Sequence, residues 1–299
     1  MGARLAYYLL LKPISLLPYF LLYRVSDFFY LVFIAVFPYR KKVVLDNMKR
    51  VFPEKDEKEL KRLSRRFYRH LADIFVESFK NFSITEKQAT ARMVSKNEEI
   101  FQELADKGQG VVLTGGHFNN WELWAVAGAL HIPTRLMAIY KRISNPFFDE
   151  KMRSSRGKFG LEMVPTKESS QWMKEATKEG PVTAVYAIDQ SPANPRKSLW
   201  IDFFGHKTAT YYGPEKHAKT YNMAVVFGHI DKLKRGHYQI RYELITDTPN
   251  ELGYGEIMKM VSAKLEDDIR ANPEYWIWSH KRWKHAYKEE YEQQASPTT

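Results

Sequence analysis

Apolar residues fill most of positions 5–39, and the longest stretch without a charge, 28–39, is 12 residues long. A clean transmembrane helix requires about 18–20 such residues. A cleavable signal peptide is also disfavoured, because the apolar part is too long and no small-residue cleavage site follows it. Three charged side chains interrupt the segment: Lys12, Arg24 and Asp27.

Three interpretations of this segment stay open. It is a single membrane span that holds Arg24 and Asp27 as a pair one turn apart, an interfacial hairpin bent at Pro13 or Pro18, or a buried helix pair of a soluble protein. We favour membrane association, because tyrosines punctuate the segment as they do at membrane interfaces. Basic residues follow it and predict a cytoplasmic location for the rest of the chain: Arg40, Lys41, Lys42, Lys49 and Arg50.

Residues 57–80 show helical periodicity on two faces. The apolar face carries Leu60, Leu63, Phe67, Leu71, Ile74 and Ser78. The opposite face carries Lys58, Lys61, Arg62, Arg65, Arg66 and Arg69. This basic face is either an ordinary solvated surface or a dock for lipid headgroups or an acidic carrier protein.

From about residue 108, short β-rich runs alternate with helical patterns. The predicted strands are 110–114, 134–140, 182–188, 224–230 and 238–245, and the predicted helices are 120–130, 147–159, 168–179 and 254–270. This alternation predicts an α/β fold with a mostly parallel central sheet flanked by helices. We predict a membrane-anchoring helical segment at 1–42 and an α/β domain at 43–299, with a helical lead-in at 43–107 and a catalytic core at 108–285.

Composition narrows the classes of function. The 299 residues are 44% hydrophobic, 27% charged and 14% aromatic, and the net charge is +11, which favours an anionic partner such as a membrane surface, nucleic acid or an acidic protein. The chain has no cysteine, which excludes disulfides, a thiol nucleophile and thiolate metal sites. Signature motifs of serine hydrolases, zincins, P-loop NTPases and dinucleotide enzymes are missing from the sequence. We predict no metal site and no cofactor.

The candidate chemistry lies in GVVLTGGHFNNWELW, which starts at Gly110. A strand ends at Gly115-Gly116, His117 follows on a loop, and Asn119 or Asn120 is placed to cap the next helix. Glu122 lies in the first turn of that helix. If His117 folds back over the helix start, Glu122 orients the imidazole and the two form a general-base dyad. The alternative is a capping histidine and a first-turn glutamate without chemistry.

The His117–Glu122 segment resembles the H-x4-[DE] motif of glycerolipid-type acyltransferases, and its context resembles the late lauroyl/myristoyl acyltransferases of lipid A biosynthesis. Similar blocks recur over roughly residues 5–285, nearly the whole chain. They are YRKKVVLDNMKRVFPEKDEKE (39–59), Tyr140-Lys141 with Asn145-Pro146, Asp189-Gln190 with Phe203-Phe204-Gly205, and YWIWSHKRWK (275–284). The family commonly has Arg where this chain has Lys141, so Arg142 is a substitute for that role. An E-G-T-R block typical of the phospholipid branch is missing, which favours lipid A or another glycolipid as the acceptor.

The resemblance implies an enzyme that transfers a fatty acyl chain from an acyl carrier protein or acyl-CoA thioester to a hydroxyl of a lipid A precursor. His117 deprotonates the hydroxyl and Glu122 assists, without an acyl-enzyme. The alternatives are another membrane glycolipid or lysolipid as acceptor, or a non-enzymatic protein that binds membrane or nucleic acid; we expect no nucleic acid. The expected location is the inner membrane, with the catalytic domain on its cytoplasmic face. We expect the oxyanion and substrate contacts from Gly115, Gly116, Asn120, Lys141, Arg142, Arg156, Asp189, Gln190 and Arg282.

Asp189, the segment 203–205 and Arg282 could each have a purely structural role instead. Asp189 ends a predicted strand and either forms a turn or lines the acceptor pocket. Phe203-Phe204-Gly205 is a packed corner or a substrate contact. Arg282, beside Trp278 and Trp283, either clamps a phosphate at the membrane surface or belongs to a plain aromatic-basic surface.

Overall fold

The computed structural model describes residues 2–291 and contains a central sheet of seven strands, with a separate two-stranded hairpin. The ends of the predicted domain ranges, Met1 and residues 292–299, lie outside the described residues. The strands are β1 (Met93–Lys96), β2 (Val111–Gly115), β3 (Arg135–Tyr140), β4 (Glu162–Pro165), β5 (Val182–Ala187), β6 (Leu199–Phe203), β7 (His206–Thr210), β8 (Ala224–Lys234) and β9 (His237–Thr246).

The large sheet has the order β1-β9-β8-β2-β5-β3-β4, and every neighbouring pair is parallel except the antiparallel β8–β9. The predicted α/β fold with a mostly parallel sheet is therefore confirmed. From β2 the chain crosses to β3 on one side, and from β5 it continues to β8 on the other side. The carboxyl ends of β2 and β5 thus lie at a topological switch point, where open α/β sheets bind ligands.

Twelve α-helices occur among residues 2–291. They are α1 (Gly2–Ala6), α2 (Lys12–Leu16), α3 (Tyr19–Leu31), α4 (Lys41–Val51), α5 (Glu57–Lys80), α6 (Glu86–Arg92), α7 (Glu99–Asp106), α8 (Trp121–Ala127), α9 (Pro146–Arg156), α10 (Ser169–Glu179), α11 (Gly213–Thr220) and α12 (Glu256–Ala271). Two π-helical segments extend α1 and α3: Tyr7–Leu11 and Val32–Val36.

The sheet has a hydrophobic core on each face, because successive strand residues point to opposite sides. On β2, Val112 packs into the core that contains α12, whereas Val111 and Leu113 pack into the core that contains α8. The central parallel strands β2 and β5 are accordingly mostly apolar, as expected for strands that are covered on both faces. This arrangement buries β2 and β5 and leaves their carboxyl ends as the place where polar side chains gather.

The longest predicted helix has the predicted bounds, 57–80. Asp56 caps α5 through a reciprocal capping box with Glu59, which explains why the helix begins there. The five predicted strands and the four helices after residue 108 are also present, with ends shifted by a few residues. Strands β1, β4, β6 and β7 were not predicted, because four or five residues of mixed polarity become strands only through their pairing partners.

The N-terminal segment is helical, and one stretch of it, Tyr19–Val36, is long and apolar enough to cross a membrane. Core helices of soluble proteins and signal sequences can have the same length and composition, so these two properties alone do not identify a span. Only about a tenth of the stretch is buried within the protein. The alternative of a buried helix pair of a soluble protein therefore does not fit this segment, since most of it is not buried within the protein.

Candidate active site

His117 and Asp189 lie side by side because of the register of two parallel strands. Gly115 at the end of β2 pairs with Ala187 at the end of β5. Two residues further along each strand end, the Nδ1 atom of His117 lies 2.7 Å from Oδ1 of Asp189. The sheet therefore places an imidazole against a carboxylate at the switch point.

The Asp189 carboxylate is fully buried and accepts three N–H groups. Its Oδ1 faces the ring of His117, and its Oδ2 accepts the backbone N–H of His117 at 2.8 Å and the indole N–H of Trp276 at 2.9 Å. Burial alone would raise the pKa of Asp189, but the charge of His117 and these donors lower it to about 2. Asp189 is therefore an anion at neutral pH.

This anion fixes the proton positions on His117. A carboxylate only accepts hydrogen bonds, so Nδ1 of the neutral ring carries the proton and Nε2 keeps its lone pair. The side-chain amide of Gln190 donates to Nε2 at 3.1 Å, on the exposed side of the ring. Burial lowers the pKa of His117, but the charge of Asp189 outweighs it, so the pKa is raised above its ordinary value. The ring is thus a base whose free nitrogen faces outward.

The partner of His117 differs from the one that we expected. The predicted His117–Glu122 hydrogen bond is not among the contacts of the described residues. Instead, both carboxylate oxygens of Glu122 accept from Arg156, with distances of 2.7, 2.9 and 3.1 Å. Glu122 lies in the first turn of α8 and faces α9, which carries Arg156, whereas Asp189 reaches His117 from β5. The Glu122 charge still acts on His117 from nearby and raises its pKa.

The loop between β2 and α8 is tied to its surroundings. Asn120 caps α8, as predicted, by accepting the N–H of Leu123 at 2.8 Å. Asn119 has a positive φ of 54°, and its N–H donates to the carbonyl of Tyr275 at 2.9 Å. The C-terminal segment thereby holds the loop, and its Trp276 also orients Asp189. We predicted no role for Trp276, although the W-x-W pattern at 276–278 is visible in the sequence.

Two neighbouring cavities are both lined by His117. The first, which we call the apolar cavity, has a volume of about 440 Å³ and runs between the sheet and α8. Gly115, Gly116, Glu122 and Arg156 lie along it with His117. Its remaining walls are mainly hydrophobic side chains, which include Leu113, Trp124, Ala138, Val185, Ile230 and Ile240.

The second, which we call the basic cavity, has a volume of about 570 Å³ and shares His117, Arg156 and Gln190 with the first. Among the described residues that line it, four are cationic and none is acidic: Lys141, Arg153, Arg156 and Lys216. Such a wall attracts an anionic ligand. Lys216 was not predicted as a site residue, because its helix α11 was not predicted.

Three predicted substrate contacts lie elsewhere. Asn120 is fully buried, where it caps α8 and donates to Glu77 at 2.6 Å, and it lines neither cavity. Arg142 pairs with Glu168 at 2.6 Å and lines a separate groove beside β4, so it does not substitute for Lys141 at the site. Arg282 is 2% exposed, and its guanidinium donates to the carbonyl of Ala209 at 2.6 Å. Its predicted position on a basic surface is therefore wrong: the side chain is buried close enough to Asp189 for the two charges to interact.

The segment Phe203-Phe204-Gly205 is the turn between β6 and β7, with positive φ at Phe204 and Gly205. Both phenylalanines are buried, and neither lines the two cavities, so the packed-corner alternative is confirmed. Among residues 2–291, no group of three or more His, Asp and Glu side chains has the geometry to hold a metal ion.

A family model for bacterial lipid A biosynthesis acyltransferases matches residues 2–285. This chain belongs to that family. The match covers both cavities, the His117–Asp189 pair and the N-terminal apolar segment. A comparison with curated proteins found none that matches the chain. As a lipid A biosynthesis acyltransferase, the protein transfers acyl groups to a lipid A substrate, and the family is typically associated with membranes.

Proposed function

We propose that His117 is the general base of the acyl transfer and that Asp189 holds it in the reactive tautomer. The observation that carries this proposal is the 2.7 Å contact between Nδ1 and the buried carboxylate, which leaves the lone pair of Nε2 on the exposed side of the ring, beside Gln190, where both cavities are lined by His117. A base within reach of both substrates accelerates such a reaction by about 10²- to 10⁴-fold.

The reaction requires no acyl-enzyme. Nε2 of His117 takes the proton of an acceptor hydroxyl while the oxygen attacks the thioester carbonyl. As the tetrahedral intermediate collapses, the C–S bond breaks and the imidazolium returns the proton to the departing thiolate. Negative charge develops on the carbonyl oxygen, and we assign its stabilisation to Arg156 and to the backbone at Gly115 and Gly116. Glu122 positions Arg156 through their bidentate contact.

The two cavities match the two substrates in polarity. The apolar cavity suits the fatty acyl chain of the donor, and the basic cavity suits the phosphorylated head of a lipid A precursor. We propose an acyl carrier protein as donor, with acyl-CoA as the alternative, because a carrier protein is acidic and this chain has a net charge of +11. We further propose that residues 1–42 anchor the enzyme at the inner membrane and that residues 43–299 act on its cytoplasmic face.

The test is acyl transfer by the purified full-length protein, followed by mass spectrometry of the lipid product. Acyl carrier protein and CoA thioesters are each offered with a phosphorylated lipid A precursor, another glycolipid or a lysophospholipid. We expect one acyl chain to be added to the lipid A precursor, with the carrier-protein thioester as the better donor. Acylation of another acceptor alone would contradict the proposed substrate.

The role of His117 is tested in the same assay. His117→Ala is expected to lose about 10²- to 10⁴-fold in rate. His237→Ala is the matched control, because His237 contacts only the carbonyl of Ala91 among its described hydrogen-bond partners and does not line either cavity. Equal rates for both variants would rule out His117 as the base.

A further inference from the structure

Helix α3 lies antiparallel against α5 along its whole length. The hydroxyl of Tyr23 donates to Glu77 at 3.0 Å, and three residues later the hydroxyl of Ser26 donates to Asp73 at 2.7 Å. Cation–π contacts continue this order at both ends: Lys80 with Tyr19, and Arg69 with Tyr30. Because the contacts run along both helices, the orientation of α3 relative to a membrane is also the orientation of α5.

Ion pairs join the two helices to the β8–β9 hairpin. Asp27 of α3 contacts Arg69 of α5 at 3.1 Å and Arg235 of the hairpin at 2.8 Å, and Arg235 also contacts Asp73 at 2.6 Å. If α3 crossed the bilayer in this arrangement, these charges would lie in hydrocarbon at a cost of several kcal/mol. If α3 crossed alone, all of its contacts with α5 would break.

The side of α3 that faces away from α5 is exposed and mostly apolar, with Arg24 between Phe20 and Phe28. Phe20 is 69% exposed and Phe28 63%, whereas Leu22 and Ser26, on the inner side, are fully buried. Of the large hydrophobic side chains that are exposed among residues 2–291, more than half lie in 5–39. We call this set the apolar face: Leu5, Tyr8, Leu9, Leu10, Leu16, Phe20, Leu21, Phe28, Leu31, Val36, Phe37 and Tyr39.

Exposed basic residues lie among and beside these apolar residues: Arg4, Lys12, Arg24, Lys41 and Lys42. A helix whose exposed side combines large apolar residues with basic residues is typical of segments that lie in the headgroup region of anionic membranes. We propose that α3 and its flanking segments lie in the plane of one leaflet of an anionic bilayer and do not cross it. This inference rests on the proposed membrane location and adds the orientation of the protein.

The apolar face is continuous with the active site. The ring of Tyr8, a member of the apolar face, lies 6.1 Å from the ring of Phe147 of α9, and α9 carries Arg153 and Arg156, which line the basic cavity. A leaflet that covers the apolar face therefore lies beside the mouth of this cavity. A lipid acceptor can enter from the leaflet by lateral movement, with its phosphorylated head directed toward the cations.

The chain has no native cysteine, so single positions can be labelled in the full-length protein. Phe20→Cys and Leu31→Cys carry a fluorophore on the same side of α3, about 16 Å apart along the helix axis. The labelled proteins are reconstituted into vesicles of phosphatidylethanolamine and phosphatidylglycerol, and depth is measured with quenchers at different positions on the lipid chains. Lys178→Cys on α10 is the exposed control, because α10 packs on the far sheet edge at β4.

The proposal predicts equal, shallow depths at positions 20 and 31 and no quenching at 178. A depth difference that approaches the full axial separation would show a spanning helix and overturn it. Strong protection from lipid quenchers at both positions would also overturn it, because a second copy of the chain or another protein would then cover the apolar face. The measurement does not depend on catalysis, so failed acyl transfer and failed in-plane insertion are separate outcomes.

Discussion

At the residue scale, the chemistry depends on which carboxylate the imidazole contacts. The sequence identified both His117 and Asp189, because each follows an apolar run that ends in turn residues. It could not pair them, since they are 72 positions apart in the sequence, as are the paired strand residues Val111 and Thr183. Only the strand order makes β2 and β5 neighbours. Glu122 was the nearer candidate along the chain for the carboxylate that contacts His117. It contacts Arg156 of α9 instead.

Asp189→Asn is expected to reduce kcat/KM by about 10²- to 10⁴-fold while the fold persists. The backbone N–H of His117 and the indole of Trp276 retain the amide oxygen at the Oδ2 position, so the new NH₂ group faces Nδ1. The ring then adopts the other tautomer, and Nε2 carries the proton and cannot act as a base. Steady-state kinetics check this, with Asp202→Asn, at the exposed position of β6, as control.

The same variant changes the pH profile. Activity requires the neutral ring, so kcat/KM rises with pH through the pKa of His117, which Asp189 holds above its ordinary value. Without the negative charge, the acidic limb of the residual activity moves to lower pH. An acidic limb that is the same in Asp189→Asn and the native protein would contradict the assigned contact.

At the element scale, α5 links the N-terminal helices to the loop that carries His117. The carboxylate of buried Glu77 accepts from Tyr23 of α3, from Tyr238 of β9 and from the side chain of Asn120, the cap of α8. Periodicity predicted both ends of α5 correctly, but it assigned Glu77 neither to the apolar face nor to the basic face of that helix. A buried carboxyl is recognised only when the three elements around it are known.

Glu77 makes stability depend on pH. Burial is the main cause that raises its pKa from 4.5 to about 7. The unfolded chain loses this proton near pH 4.5 and the folded protein near 7, so stability falls as pH rises between these values, by up to about 3 kcal/mol. Gln stays neutral and can keep the same hydrogen-bond partners. We therefore expect Glu77→Gln to gain stability relative to the native protein between pH 5 and pH 8.

Urea unfolding in detergent at the two pH values measures this gain. Because other groups titrate in both proteins, the quantity to compare is the difference between variant and native free energies of unfolding. A difference that does not change with pH would show that Glu77 is already ionised below pH 5 in the folded state.

Under the proposed function, the apolar cavity holds the acyl chain, and its lining sets the space for that chain. Ala138 on β3 lines the cavity, and Leu at this position adds three carbon atoms there. At about 0.8 kcal/mol per methylene, we expect Ala138→Leu to shift the preference between long and short acyl donors roughly tenfold or more toward the short ones. Competition between thioesters of different length, read by mass spectrometry, checks this. Ala91→Leu on exposed α6 is the control and should leave the preference unchanged.

At the scale of the whole molecule, alternation of strands and helices predicted the α/β sheet, and the apolar N-terminus predicted a membrane-associated segment. Sequence could not separate a span from an in-plane helix, because both require apolar residues of similar number. What distinguishes them is tertiary: Tyr23, Ser26 and Asp27 bind α5 and the β8–β9 hairpin. The proposed in-plane location would bring a leaflet to the side of α9, whose Arg153 and Arg156 line the basic cavity with His117.

The central claim is that the neutral imidazole of His117 removes the acceptor proton, and chemical rescue tests it most directly. The rate of acyl transfer by His117→Ala is measured with increasing concentrations of added imidazole at several pH values. The account predicts a rate that rises with the concentration of neutral imidazole and does not respond to imidazolium. A variant that transfers acyl chains at the native rate without imidazole, or that imidazolium restores equally well, would contradict it.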